Sequence, residues 1–183
     1  MKWFGLAKRR LEASLGQPDR ARLVERIAAR TVDAALEAGF SVGVVTDSPE
    51  VVAWSEVRGV ETIREPSDEP PGLDRAARAA ARHAHGLDLP WAIVHGDLPL
   101  VTGHDLRSIS DELPPGGVVL APSYDGGTNV LAGYGSRFPF AYGPGSFRRH
   151  LARAAHSPIR VVVRRGLALD LDSARDLSTA GLA

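Results

Sequence analysis

The sequence predicts one α/β domain, residues 1–183, built on a mainly parallel sheet. Three observations carry this. Short apolar runs alternate with segments whose apolar residues recur at helical spacing. Aspartates close two of those runs, where such sheets place their ligands. The length suits one sizeable core, and no repeat or interdomain linker divides it.

The elements follow in order. In residues 20–38, Leu23, Ile27, Val32 and Leu36 fall near helical spacing, and Gly39 is a stop signal. "SVGVVT" (41–46) is a buried strand, and Asp47-Ser48-Pro49 opens a short helix carrying Val52 and Trp54. "VETI" (60–63) is a second strand, and the proline-rich 64–72 a loop. Residues 73–85 form an Ala/Arg helix. "WAIVHGD" (91–97) is a third strand ending at Asp97, and 105–113 is helical. "VVLAP" (118–122) is a strand, the Asp125-Gly126-Gly127-Thr128 loop follows, and Val130 and Leu131 resume strand. Residues 140–155 hold a strand end, a turn and a helix opening near Gly145-Ser146. "IRVVV" (159–163) and "LALDLD" (167–172) read as strands, and Ser173 caps a last helix.

Composition narrows the functional classes. Lys+Arg and Asp+Glu both number 22, so no net charge favours nucleic acid or membrane as a partner. No apolar run has the ~20 residues of a membrane span, and none of signal-peptide length follows the N-terminus. Cysteine is absent, which removes disulfides, thiolate chemistry and cysteine zinc sites and fits the cytoplasm. Only two of the 22 basic residues are lysines, and both, Lys2 and Lys8, lie in the first eight positions. Lysine is a compact charge suited to phosphate oxygens. An arginine-rich codon bias with a solvated terminus is the alternative.

Four motifs can carry chemistry. "HGDLP" (95–99) and "LDLDS" (169–173) each set a carboxylate, Asp97 and Asp172, at the end of an apolar run. Two such groups facing one cleft suit Mg²⁺, which takes one or two carboxylates plus substrate phosphates. Each alone reads better as a turn former or helix cap, and only the placement of both at strand ends makes the metal reading its equal. "YGPGSFRRH" (142–150) is a tight turn into a helix start, an anion site or an ordinary serine-capped helix. Gly126 and Gly127 allow an anion nest with the Thr128 hydroxyl, but Asp-Gly favours a plain hairpin. His83 and His85 stand two apart on a helix, share no face, and read as a solvated end. His95 receives no role.

In this order, "AKRRL" (7–11), "GLD" (72–74), "GDLPLV" (96–101), "DGGTNVL" (125–131), "YGPGSFRRH" (142–150) and "LDLDSARDL" (169–177), with Lys2, resemble the 2-phospholactate guanylyltransferase family. That family serves biosynthesis of the deazaflavin coenzyme F-420, and its relatives act on phosphoenolpyruvate or 3-phosphoglycerate. The resemblance implies a Rossmann-like nucleotidyltransferase fold of the nucleotide-diphospho-sugar transferase type. It implies that Asp97 and Asp172 hold Mg²⁺, and that Thr128, Gly143 and Ser146, with Gly127 beside them, bind the phosphorylated acid. Lys2, Lys8 and Arg10 would steady the triphosphate, with Lys8 also counted among the catalytic groups, and Asp74 would lie near the nucleotide. Three departures accompany it: the family's first strand is not seen before Lys2, Arg9 follows the second lysine where Ser or Thr is usual, and Asp74 replaces an asparagine.

The implied reaction joins GMP from GTP to the acid. A substrate phosphate oxygen attacks the α-phosphorus in line, pyrophosphate leaves, and no protein base is required. The implied partners are therefore GTP and a phosphorylated three-carbon acid. A related cytidylyl- or sugar nucleotidyltransferase would keep "GDLP" and "LDLD" without needing "GGTN" and "GPGSF". A non-catalytic nucleotide-binding homologue is the third reading. Which acid is used, and whether the chain forms a homodimer, the sequence does not set.

Overall fold

In the computed structural model, Met1, residues 16–65 and residues 70–182 are described. The first helix, α1 (Gln17–Glu37), starts with Pro18 in its first turn, where the missing N–H costs nothing. Its faces serve three neighbours. Leu23 and Ile27 meet Leu171 and Leu177. Val24, Ala28 and Val32 meet Val44, Val51 and Trp54. Ala34 and Ala35 join the cluster around Leu98 and Leu106. The remaining elements are β1 (Gly43–Val45), α2 (Pro49–Val57), β2 (Glu61–Ile63), α3 (Leu73–Gly86), β3 (Trp91–Val94), α4 (Gly103–Asp111), β4 (Val118–Pro122), β5 (Thr128–Gly133), α5 (Ser146–Arg153), β6 (Ile159–Val161), α6 (Arg165–Ala168) and α7 (Ala174–Thr179).

The larger sheet has the order β3-β5-β4-β6. Its pairings correct the expected mainly parallel arrangement. β5 runs antiparallel to both β3 and β4, and β6 runs parallel to β4. The cause is local: the chain reverses at Asp125-Gly126, so β5 returns as a hairpin strand and inserts between β3 and β4. β4 and β5 are covered on both faces. Val119, Ala121, Val130 and Ala132 pack towards α4 and α6, whereas Leu120 and Leu131 pack towards Trp91, Phe140 and Ala77. This is the two-residue period of a strand. Each fully buried Val or Leu here contributes about 1.5–3 kcal/mol.

β1 and β2 form a separate parallel pair. A cleft of about 860 Å³ lies between the two sheets, lined by Val44 and Val45 on one side and Ile93 and His95 on the other. Met1 stands at its rim. Its backbone carbonyl accepts the Thr46 hydroxyl at 2.7 Å, and its amino group donates to the Val45 carbonyl.

A second expectation is corrected at residues 167–172. Residues 165–168 form the short helix α6, and the following Leu-Asp-Leu-Asp is extended but outside any sheet. Its Leu171 N–H bonds to the Asp97 carbonyl at 3.0 Å rather than to a ladder partner. The capping serine is as expected: Ser173 opens α7 in a capping box with Asp176.

Candidate active site

Leu98, buried completely, and Leu171, 1% exposed, anchor the two acidic segments in the core. The bond from Leu171 N to Asp97 O ties one segment to the other. In an extended chain alternate residues share a face, so Asp170 and Asp172 project together, opposite Leu169 and Leu171. The result is a group of three: oxygens of Asp97, Asp170 and Asp172 lie within 4.8 Å of one another. Asp176 fixes the approach of Asp172, accepting from the N–H groups of Asp172 at 3.0 Å and Ser173 at 2.6 Å. Asp97 and Asp172 thus meet as expected, although Asp172 sits on a coil rather than a strand end. Asp170 is an addition. The period-two alternation of "LDLD", which puts Asp170 on the face of Asp172, is the signal that could have found it.

Burial, and then the Asp97 carboxylate, push the Asp170 carboxyl above its ordinary value, while the Asn129 amide (3.4 Å) opposes this. A divalent cation would relieve that crowding. Hard oxygen donors converging on one point fit Mg²⁺ chemically.

The three aspartates line the inter-sheet cleft together with His95 and Tyr142. His95 Nε2 and Tyr142 Oη are buried, and no hydrogen-bond partner reaches them among the described residues. Burial, aided by the nearby Asp74 carboxylate, drives the Tyr142 phenol far above its usual range, so it remains a donor. Both groups escaped the sequence reading, and a lone His before Gly-Asp gives no signal of this kind.

The 125–128 loop is a hairpin turn. Ser123 N–H bonds to the Gly127 carbonyl at 3.1 Å, Gly126 has φ of +84°, and Gly126 N–H returns to the Ser123 carbonyl. Gly127 N–H donates to the Asp125 carboxylate at 3.0 Å. That carboxylate is held below its usual range by the Ser123 hydroxyl first and the Gly127 N–H second. The anion nest is therefore corrected: its donors are spent within the turn, and an aspartate stands over them. Gly127 is required for space, because a Cβ there would lie 2.7 Å from Ser123 Oγ.

Thr128 and Ser146 do come together, with Ser146 Oγ 3.2 Å from Thr128 Oγ1. Both are buried, and His150 Nδ1 lies 3.0 Å from the same Thr128 oxygen. The turn above them is gripped from within. Arg149 bonds to the carbonyls of Ala141, Tyr142 and Pro144. Gly143 and Gly145, with φ of +110° and +66°, take the left-handed backbone that this turn demands. The Ser146 and Phe147 N–H groups already bond to the carbonyls of Gly143 (3.0 Å) and Gly126 (3.3 Å). An acid held here would rely on side-chain hydroxyls more than on those two amides.

Asp74 accepts the Tyr142 N–H at 2.7 Å, tying α3 to the same turn. A carboxylate serves that purpose as well as an asparagine oxygen would. Lys2, Lys8 and Arg10 lie outside the described residues.

Comparison with known proteins identifies the family and the fold. The family described as "Guanylyl transferase CofC like" matches residues 1–180. A phosphoenolpyruvate guanylyltransferase from Chloroflexus aggregans is 34% identical over 188 residues, covering 97% of this chain and 92% of its own. A 3-phospho-D-glycerate guanylyltransferase from Phenylobacterium zucineum is 36% identical, covering 93% and 82%. A 2-phospho-L-lactate guanylyltransferase from Halobacterium salinarum is 33% identical, covering 83% and 76%. Among solved structures, a Desulfovibrio desulfuricans G20 protein described as a candidate nucleotide-diphospho-sugar transferase superposes with a TM-score of 0.78 at 14% identity, covering 98% of this chain and 82% of its own. CMP:2-keto-3-deoxy-manno-octonic acid synthetase superposes at 0.57 and 16%, covering 85% and 86%. These likenesses establish the α/β nucleotidyltransferase fold.

Proposed function

Because the chain belongs to the CofC-like guanylyltransferase family, we propose that it joins GMP from GTP to a phosphorylated three-carbon acid, in the route to coenzyme F-420. An oxygen of the acid's phosphate attacks the α-phosphorus of GTP. The bond from that phosphorus to the bridging oxygen breaks, and pyrophosphate leaves with the electron pair. Both reactants are polyanions, so the protein's work is charge neutralisation and alignment. The observation that carries this reading is the convergence of Asp97, Asp170 and Asp172 at one end of the inter-sheet cleft.

Those three carboxylates would hold Mg²⁺, which when bound supplies positive charge to the reacting phosphates. The cleft walls do the rest. Their largely apolar lining would exclude water from a base lying against it. His95 Nε2 and the Tyr142 hydroxyl offer polar atoms that a nucleotide can satisfy. Thr128 and Ser146 would orient the acid from beneath the 143–145 turn, and Lys2, Lys8 and Arg10 would meet the triphosphate.

The test is pyrophosphate release with each of GTP, CTP, ATP and UTP against phosphoenolpyruvate, 3-phosphoglycerate and 2-phospholactate. Acid-dependent release with GTP is expected for one of the acids. Preference for CTP, or no acid-dependent release, would overturn the reading.

A further inference from the structure

His150 is completely buried, and both ring nitrogens are engaged. The Ala141 backbone N–H lies 2.9 Å from Nε2. A backbone N–H can only donate, so Nε2 must carry its lone pair. The neutral ring then bears its proton on Nδ1, and Nδ1 faces Thr128 Oγ1 at 3.0 Å. The direction of that bond is thereby fixed: imidazole donates, threonine accepts.

Proton counting gives the consequence. The Thr128 and Ser146 hydroxyls share one hydrogen bond, at 3.2 Å, which consumes one of their two protons. His150 adds a third donor to the cluster and no acceptor facing the pair. One hydroxyl proton therefore always remains for a partner outside the cluster. Were the imidazole in its other tautomer, it would draw that proton inward.

We propose that His150 is a positioning residue that leaves the buried Thr128–Ser146 pair with one hydroxyl proton to donate, selecting an anionic oxygen of the acid substrate. It does not touch substrate. The inference rests on the reading of this pair as the acid-binding end of the site. Burial, the dominant influence, brings the ring down to about 4, with Arg153, Arg149 and His95 acting in the same direction and Asp74 against them. The tautomer therefore holds across the physiological pH range.

The test has a substrate-free half and a kinetic half. In the ligand-free full chain, ¹⁵N resonances of the imidazole should report Nδ1 protonated and Nε2 bare, unchanged from about pH 5 to 8. A proton on Nε2, or titration near the ordinary histidine value, would overturn the tautomer assignment. In kinetics, His150→Ala should raise KM for the acid about 10-fold or more while KM for GTP stays within about 2-fold. His150→Gln, whose amide keeps one acceptor and one donor, should recover most of the loss and also guards against a misfolded alanine variant. Wild-type KM in a folded His150→Ala protein, or equal losses for GTP and acid in both variants, would overturn the positioning role. If the tautomer is as stated but wild type turns over none of the three acids, the guanylyltransferase reading falls, and the substrate half of this proposal falls with it.

Discussion

Removing one carboxylate from the Asp97–Asp170–Asp172 group should stabilise the protein while impairing its use of metal. Their oxygens lie within 4.8 Å. At that distance two unit charges repel by about 1 kcal/mol in water and about 3.5 kcal/mol at an effective dielectric of 20. The three side chains are only partly buried, so the screened end of that range applies. Asp170→Asn deletes two of the three repulsions and keeps an oxygen to accept the Asn129 amide. The raised Asp170 value sets the sign: the folded chain holds this proton at a pH where the unfolded chain has lost it. Ionisation therefore lowers stability as pH rises out of the carboxylate range, and the full cost is present at neutral pH. We expect a gain of about 1–3 kcal/mol, or roughly 3–10 °C in Tm for a chain of this size. The assay is thermal unfolding at pH 7 in chelator and in saturating Mg²⁺. Wild type should rise with Mg²⁺ and Asp170→Asn should rise much less, so the two curves converge or cross. A variant less stable than wild type in chelator, with no Mg²⁺ effect on either protein, would refute the reasoning and make the group a structural hydrogen-bonding unit.

Asp97→Asn and Asp172→Asn should each lower turnover at least ~100-fold in a folded protein, and near-wild-type rates at saturating Mg²⁺ would remove them from the metal site. Thr128→Val leaves the buried Nδ1–H of His150 without an acceptor, which should cost about 1–3 kcal/mol in urea unfolding, while acid affinity falls roughly 10- to 150-fold and GTP affinity holds; unchanged acid affinity would remove Thr128 from the acid site. His150 should make stability pH-dependent. Its folded value of about 4 lies below the ordinary 6.5, so the unfolded chain takes up the proton first, and roughly 3 kcal/mol at most is lost as pH falls from 6.5 to 4. Denaturant midpoints across that window should slope less for His150→Gln, and parallel profiles would exclude the effect.

Much of the chain was legible because its signals are local. Helical spacing with Gly39 as the stop marks α1, and Asp-Gly marks the β4–β5 hairpin. The 167–172 segment misled for a physical reason. Leu169 and Leu171 alternate with Asp170 and Asp172 as in a half-buried strand, and the backbone is extended, but α6 and the Asp97 segment take its hydrogen bonds in place of a neighbouring strand. Burial pattern reads from sequence, whereas ladder partners do not. The sheet's mixed sense was hidden similarly, since strand direction depends on where a hairpin inserts. The roles of His150 and Asp74 were out of reach because both answer to backbone N–H groups, those of Ala141 and Tyr142, that no sequence motif announces.

The separation of β1–β2 from the larger sheet sets an order of local opening. Three residues per strand in a parallel pair make few ladder bonds, and packing by α1, α2 and α3 does most of the holding. β4 and β5, sealed on both faces, should open more slowly. Amide exchange should therefore fall into two tiers, with the Val44 and Thr62 amides released by sub-global opening and Leu120 and Leu131 only by global unfolding. A nucleotide lying in the cleft would rest against β1 and β2 on one side and β3 on the other. Its binding energy would be spent partly on suppressing the opening of the weaker tier, so occupancy would be readable as protection in β1 and β2.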